Sequence, residues 1–588
     1  MKNLPVVVSP GRHARKTARL LVNGLPAQDM TAPDDFAAAV RSAFLSGRPV
    51  IGICAAGILI RILAPLLADK REEPPVVAVS AEGAHVVPLL GGHRGANELA
   101  GRIAWLTGGA AAVTTASESR FHVALDDPPE GWRLANREDV KPFVAALLEG
   151  QPVRIEGEAP WLERAALPLA TDARLRISVT TQARSGGPDH LIYHPATVFA
   201  GIGASRGAPE AEVAELLDEA LREADLAPQS VAAIGTISLK ADEAAINAVA
   251  RKMGVPLRIF DANELAAVNV PSPSSVVLAE TGSPSVAEAA ALLLAGEGGQ
   301  LVLSKRKSAH ATCALAVAPA PRRALPGRAR GRLCIVGIGP GDSRMRTPQA
   351  TEALTSATDW VGYDLYLDLA GDLAAGRRLH RFPLGAEENR VRHALALAAE
   401  GRDVALICSG DPAIYAMATL VFEVLEAPDI PDAARRVNVE VIPGISAFQS
   451  ASAASGALIG HDFCTISLSD LLTPWEIIEA RIRAAADGDF VIAFYNPRSR
   501  KRTWQLERAL SILREARPES TPAVIASNLG RPGARVRVLP LADVYPEEVD
   551  MLSIVMVGNS ESRMRRGGDG VWCAWTPRGY AGKREKNR

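Results

Sequence analysis

Short apolar runs recur along this chain, and most of them end in glycine, proline or a small polar residue before a helical pattern begins. Near the start, runs at 50–54, 76–79 and 86–90 predict strands, and the spacing at 36–45, 58–67 and 96–106 predicts helices. Further on, strands are expected at 197–202 and 234–239, with an amphipathic helix at 209–224 that places Pro209 in its first turn. From 332 the alternation resumes. Six runs, at 333–338, 404–408, 437–442, 491–494, 523–527 and 554–557, each lead into a small or polar corner. Alternating strands and helices imply mostly parallel sheets covered by helices, so the fold class is α/β.

A chain of 588 residues is too long for one core, and the pattern divides it. An α/β domain is expected at 1–135, a middle region and linker at 136–190, and a second α/β domain at 191–318. The turn-rich stretch 182–190 reads as part of a linker. The proline- and arginine-rich 319–331 reads as another, followed by a third α/β unit at 332–575 and a basic tail at 576–588.

Composition narrows the function. With 48% hydrophobic and 22% charged residues the chain reads as soluble and globular. A net charge of -1 and 5% aromatic residues argue against a nucleic-acid or membrane partner. The six cysteines are scattered, with neither a disulfide framework nor metal-ligand spacing, so reduced thiols, no metal and a cytoplasmic location are expected. The first 30 residues lack the apolar core and cleavage site of a signal peptide. The most apolar helical pattern, 55–68, is too short to span a bilayer.

Candidate chemistry concentrates in the third unit. The apolar run before Tyr495, Asn496 and Pro497 is followed by Arg498, Arg500, Lys501 and Arg502. A polar, cationic loop past the carboxyl end of a strand is where open α/β sheets bind ligands, here an acidic small molecule beside a cofactor. Earlier, the glycine-rich turn 91–98 opens a helix and holds His93 and Arg94. It reads either as an anion site or as a close-packed turn with Asn97 as a local cap. Lys240, Glu243 and Glu288 lie at strand ends or a helix start, where polar work and simple capping are both open.

Residues 332–562 resemble the tetrapyrrole methylases of cobalamin biosynthesis. The resemblance is carried by VGIGPGD at 336–342, GYDLYLDL at 362–369, SGDPAIYAMA at 409–418 and PGISAFQSA at 443–451. The run SLSDLLTPWEIIEARI with FYNPRSRKR is similar to the branch that methylates precorrin-3B at C(17). Residues 50–120 (AAGILIRILAPLLADK, PLLGGHRGANELAGRIAWLTGG) and 197–318 (GIGASRG, SLKADE, SPSVAEAAALL) resemble the two ends of cobalt-precorrin-5A hydrolases. This sequence departs from those patterns at Arg346, Ala413 and Ala416, and at Ala204, where the hydrolases carry a cysteine.

The resemblance implies two α/β lobes, a homodimer, a precorrin substrate, and S-adenosyl-L-methionine held between the lobes. Cofactor contacts carried over by motif are Pro340, Ser409, Gly410, Asp411, Ile414, Ser446, Ala447, Asn496, Asn528 and Leu529. The branch's reaction includes ring contraction, which needs a proton donor and acceptor. Asp342, Tyr363, Asp411, His461 and Asp462 are the candidates. The substrate's carboxylates would meet Arg498, Arg500, Lys501 and Arg502, with Arg344 and Arg346. In the N-terminal half, His93, Lys240, Glu243 and Glu288 are candidates for opening the lactone formed on contraction.

Overall fold

The computed structural model describes residues 4–25, 27–33, 35–68, 73–113, 120–374, 376–499 and 501–580. It confirms a multidomain α/β chain and divides it into two compact units. One holds residues 1–331 with 398–402 and 431–438; the other holds 332–397, 403–430 and 439–588.

The first unit contains three sheets. Six strands run in the order Gln28–Thr31, Val6–Ser9, Val50–Ile53, Val76–Val79, His85–Leu90 and Ala110–Ala111. All neighbouring pairs are parallel except Val76–Val79 with His85–Leu90. The buried runs VVVS, VIGI and VVAV form its centre. Continuous apolar strands of this kind need a cover on both faces, and helices supply it.

The middle sheet orders Trp132–Leu134, His190–Pro195, Leu175–Val179 and Val153–Glu156. Here the structure differs from the sequence expectation. The stretch 182–190 joins two neighbouring parallel strands, Leu175–Val179 and His190–Pro195, within this one sheet. Its glycine and proline mark a crossover instead of a break between domains.

The third sheet orders Leu257–Phe260, Val231–Ile237, Val198–Ala204, Ala311–Val317 and Gln300–Lys307. The helix Ala287–Ala295 lies against its centre, so close that a Cβ on Gly201 would stand 1.8 Å from the Ala287 carbonyl oxygen.

The second unit has two five-stranded sheets, one per lobe. The first orders Arg378–Phe382, Asp359–Tyr363, Asp403–Cys408, Arg332–Gly337 and Asn438–Ile442. Asp403–Cys408 runs parallel to both Arg332–Gly337 and Asp359–Tyr363, and Asp359–Tyr363 parallel to Arg378–Phe382, so corners after Gly337, Cys408 and Tyr363 open on one edge. The second orders Phe463–Ser467, Val491–Tyr495, Ser553–Val557, Pro522–Ser527 and Arg535–Pro540. In it Ser553–Val557 runs antiparallel to both Val491–Tyr495 and Pro522–Ser527. The Gly558-Asn559 corner therefore sits at the opposite end of this sheet from Asn496 and Asn528. Among the described residues, no helix is long and apolar enough to cross a membrane.

Candidate functional site

The corners of the first lobe interlock through their backbones. Gly339 and Gly410 exchange N–H···O bonds of 3.3 and 2.8 Å. Gly444 is packed so tightly beneath them that a Cβ there would stand 2.2 Å from the Gly410 oxygen. Asp411 fastens the arrangement: one carboxylate oxygen accepts the Ala413 N–H at 2.8 Å and the other the Gly444 N–H at 3.2 Å. Both oxygens thus serve the turn, which makes Asp411 a holder of the corners more than a free acid or base.

Ser446 follows and caps the helix Ala447–Ser455. Its N–H and hydroxyl both donate to Gln449 Oε1 at 3.0 Å. Ile414, Ala447, Tyr495 and Leu529 pack against one apolar cluster that includes Phe448, Val491, Val524 and Met556. Three of the expected cofactor contacts, Ile414, Ala447 and Leu529, therefore share one apolar face.

Three residues at these corners hold left-handed backbone without being glycine: Tyr415 at φ 50°, Asn496 at φ 50° and Asn528 at φ 52°. Asparagine tolerates this region; a bulky tyrosine there is strained. Tyr415 is held by its hydroxyl, which donates to the Thr465 carbonyl at 2.8 Å, and by its ring, 5.2 Å from that of Tyr495. The Tyr495 hydroxyl is buried and makes no hydrogen bond of good geometry. Burial raises its pKa above the usual tyrosine value, although the Phe448 N–H and Ser446 lie near enough to oppose that.

Residues the sequence reading passed over tie the lobes together. Arg531, two residues beyond Leu529, donates from Nε to the Pro340 carbonyl at 2.9 Å and from Nη2 to the Ser409 hydroxyl at 2.9 Å. A Cβ on Gly341 would meet its side chain at 2.8 Å. Its position directly after the Asn528-Leu529-Gly530 corner was the available signal.

The candidate acids and bases separate. Asp342 lies on the Pro340 corner, where Arg344 holds it as the ion through a side-chain bond at 2.6 Å and a backbone N–H. These bonds push its pKa down to about 2. Tyr363 ends its strand on the same edge, its ring 5.3 Å from Tyr366. His461 and Asp462 are corrections. They precede the strand Phe463–Ser467, whose carboxyl end, paired with Tyr495, faces the corners. A strand of that length separates them from the site by roughly 15 Å, and His461 Nδ1 accepts the Asp462 N–H at 2.8 Å.

The cationic loop is mostly engaged internally. Arg498 donates to the Pro546 carbonyl. Arg502 bonds the Asn496 carbonyl at 2.9 Å and the Ser469 hydroxyl at 3.3 Å. Asn496 bonds Ser467 at 3.1 Å, and Gln505 bonds Asp470 at 2.9 Å. The two stretches that carry the branch resemblance are thus laced to each other. Arg346 is buried and paired with Asp372 at 2.6 Å, which removes it as a substrate clamp. Lys501 is exposed. Arg500 and the side chain of His93 lie outside the described residues.

In the first unit, Lys240 and Glu243 come together and Glu288 does not join them. Glu243 is buried, accepts the Gly207 N–H at 3.1 Å and lies 3.4 Å from Arg206, which also pairs with Asp242 at 2.9 Å. Burial, then Arg206, lowers the Lys240 pKa. Glu288 is fully buried and accepts the Ser272 and Lys305 N–H groups at 3.2 and 3.0 Å. An open hollow of about 460 Å³ in this unit, lined by Arg15, Arg19, Asp29 and Thr31, shares no residue with any of these groups. The thiols of Cys313 and Cys408 are fully buried, which pushes both pKa values to about 12 and leaves them inert at neutral pH.

Glycine-lined corners stapled by a carboxylate, beside a strip of small apolar side chains, define a small-molecule cleft enzyme of the α/β class. The chain belongs to the tetrapyrrole (corrin/porphyrin) methylases, whose profile matches residues 332–545. Ahead of it stand segments matching the cobalamin synthesis G N-terminus (38–118), the cobalamin biosynthesis central region (128–195) and the cobalamin synthesis G C-terminus (198–316).

Its relatives include the cobalamin biosynthesis protein CobIJ of Mycobacterium tuberculosis, 44% identical over 248 residues. That match covers 41% of this chain and 47% of the relative, so the chain spans about half of that protein's length. A precorrin-3B C(17)-methyltransferase of Sinorhizobium sp is 39% identical over 43% of this chain and 98% of its own length. A probable cobalt-factor III C(17)-methyltransferase of Salmonella typhimurium is 42% identical over 42% of this chain and 99% of its own length.

Proposed function

We propose that the second unit, residues 332–575, transfers a methyl group from S-adenosyl-L-methionine to C(17) of a precorrin, with ring contraction, in cobalamin biosynthesis. The observation that carries this reading is the set of corners at Pro340, Ser409, Asp411 and Ser446, brought together on one lobe edge and joined to the other lobe by Arg531. Likeness to a C(17)-methyltransferase over 98% of that protein's length supports it.

The residues fit the methyl donor. A cradle without Cβ atoms at Gly410 and Gly444 allows close approach to main-chain groups. Ile414, Ala447 and Leu529 offer an apolar face, and the buried Tyr495 hydroxyl has an unused bonding capacity beside it. When bound, S-adenosyl-L-methionine supplies an electrophilic methyl on sulfur.

The chain's own tasks are positioning and exclusion of water, which supply most of the rate in such a transfer. Asp342, held ionised by Arg344, is the proton acceptor of the contraction step. Tyr363, on the same edge, is the donor. Lys501 and Arg500 are the remaining candidates of the basic loop for substrate carboxylates, since Arg498 and Arg502 are engaged in holding it. The enzyme is a cytoplasmic homodimer through the methylase unit. The first unit opens the lactone that contraction leaves; joining enzymes of nearby steps raises the local concentration of a labile intermediate.

The test uses the purified full chain with S-adenosyl-L-methionine and the trimethylated precursor. A mass gain of one methyl group with a changed spectrum is expected; unchanged substrate that another enzyme converts would reject the assignment. Two alternatives have specific support. The cobalt-factor III name of the Salmonella relative favours a metallated substrate, decided by comparing metallated and metal-free precursor. The internal pairing of Arg206, Asp242 and Glu243, with Ala204 in place of a cysteine, favours a first unit that binds tetrapyrrole without catalysis. Release of a two-carbon aldehyde would reject that second alternative.

A further inference from the structure

The guanidinium of Arg531 is a half-buried charge at the site with no acidic partner among the described residues. Two of its three nitrogens are engaged, Nε with the Pro340 carbonyl and Nη2 with the Ser409 hydroxyl. Both partners are neutral. Burial lowers its pKa, opposed by the nearby Tyr366 hydroxyl, whose own pKa burial raises. Among the described residues no carboxylate pairs with it, in contrast to Arg344, Arg346, Arg381 and Arg392 of the same unit, each with an acidic partner. Holding a half-buried cation without an anion beside it costs solvation that two neutral partners only partly replace. The side chain is nevertheless fixed in place, pinned by two hydrogen bonds and packed over Gly341. Nη1, with two N–H groups, makes no hydrogen bond among the described residues.

We infer that Arg531 is the anion anchor of the site and takes a carboxylate on Nη1. The inference rests on the methyl-transfer reading. That reading offers two carboxylates: the amino-acid end of the methyl donor and the acid side chains of the macrocycle. Either would complete the half-buried charge with a charge-assisted bond, at a residue that already joins the Asn528 corner to Pro340 and Ser409. Lysine could not replace it, because one ammonium cannot hold both existing partners and also present a planar pair of donors.

The test compares wild type with Arg531→Gln and Arg531→Lys in the full chain. Three probes are titrated calorimetrically: S-adenosylhomocysteine; methylthioadenosine, which lacks the carboxylate; and uroporphyrin III, a macrocycle with eight. For Arg531→Gln, loss of a charged hydrogen bond predicts affinity about tenfold to a hundredfold weaker for the carboxylate the arginine holds. Methylthioadenosine should stay within about twofold of wild type. A loss confined to S-adenosylhomocysteine assigns the anchor to the donor; one confined to uroporphyrin assigns it to the macrocycle. Unchanged affinity for both acids in a protein with a cooperative melt overturns the inference. So does an equal loss for methylthioadenosine, which would mark a purely architectural role. If the glutamine variant does not fold, the lysine variant decides by the same readouts. A wild type that binds neither nucleoside would sink the methyl-transfer reading itself.

Discussion

In the C-terminal sheet of the first unit, Arg206 pairs with Asp242 and approaches Glu243, while Glu288 collects two backbone N–H groups and lies near the Ser285 hydroxyl. At the corners of the second unit, Arg531 meets no carboxylate among the described residues and the Tyr495 hydroxyl is buried without a well-formed bond. There Tyr415, Asn496 and Asn528 also hold left-handed backbone. Both regions are strand ends of α/β sheets, and both are rich in glycine and charge. One has paired its charges with each other, leaving Glu243 Oε2 beside Arg206 at 3.4 Å without a hydrogen bond; the other keeps strain, an arginine without an acid among the described residues and an unbonded hydroxyl. Open groups of this kind lower stability and persist where a ligand completes them. The comparison teaches that strand-end charge alone does not mark a working site; what marks it is charge the fold itself leaves unanswered.

The sharpest way to break the comparison is to install the same steric fault on each side. Gly444→Ala would place a Cβ 2.2 Å from the Gly410 oxygen, and Gly201→Ala one 1.8 Å from the Ala287 oxygen. Each forces backbone apart and should destabilise its own unit by about 1–3 kcal/mol. Gly444→Ala should also lower methyl transfer on the order of a hundredfold, because corners displaced by an ångström misplace the reacting groups. Gly201→Ala should leave methyl transfer intact. Calorimetric melting and a single-turnover assay read both effects; equal loss of transfer in the two variants would show that the regions are not independent.

A smaller effect follows from the two carboxylates that staple backbone. Asp411→Ala frees the Ala413 and Gly444 N–H groups, and Glu288→Ala frees those of Ser272 and Lys305. An unsatisfied buried donor costs about 1–3 kcal/mol. Glu288 is fully buried and Asp411 only partly, so the Glu288 variant should lose more stability, yet only Asp411→Ala should weaken S-adenosylhomocysteine binding. Denaturant midpoints and titration calorimetry on the pair decide; weaker ligand binding in Glu288→Ala would reverse the assignment of roles.

Much of the site was legible because strand ends are written in local sequence. The runs before Gly339, Ser409, Pro443 and Asn496 announce buried strands, and the small residues after them announce approachable corners. Strand direction was not legible, since an apolar run carries no sign of which way it pairs. That is why His461 is expected at the site although it stands at the other end of its sheet. Side-chain commitment was equally hidden. Arg498, Arg502 and Arg346 look free in sequence and are engaged with Pro546, Asn496 and Asp372 only through folding. Arg531 was passed over for the converse reason: it stands alone in sequence, and its isolation from acids exists only in three dimensions.

The smallest expected effect concerns pH and compares Asp342 with Glu212 of the first unit. Both carboxylates are held at about 2, Asp342 by the Arg344 side chain and N–H, Glu212 by the Ser308 hydroxyl and then by His310. Each folded value lies below the ordinary carboxylate value of about 4. The stabilisation is therefore complete above pH 4 and is lost as pH falls toward 2. Neither group titrates near neutrality, so Asp342 enters the reaction ionised and gives methyl transfer no acid limb above about pH 4. Arg344→Ala removes the guanidinium and should return Asp342 toward its ordinary value, while Glu212, whose partners are untouched, stays low. Carbon-13 carboxyl titration by NMR follows both groups in one sample. An acid limb in the wild-type kcat/KM profile between pH 5 and 7 that disappears in Asp342→Asn would mean that Asp342 titrates there in the working site, and its being held at about 2 by Arg344 would be overturned.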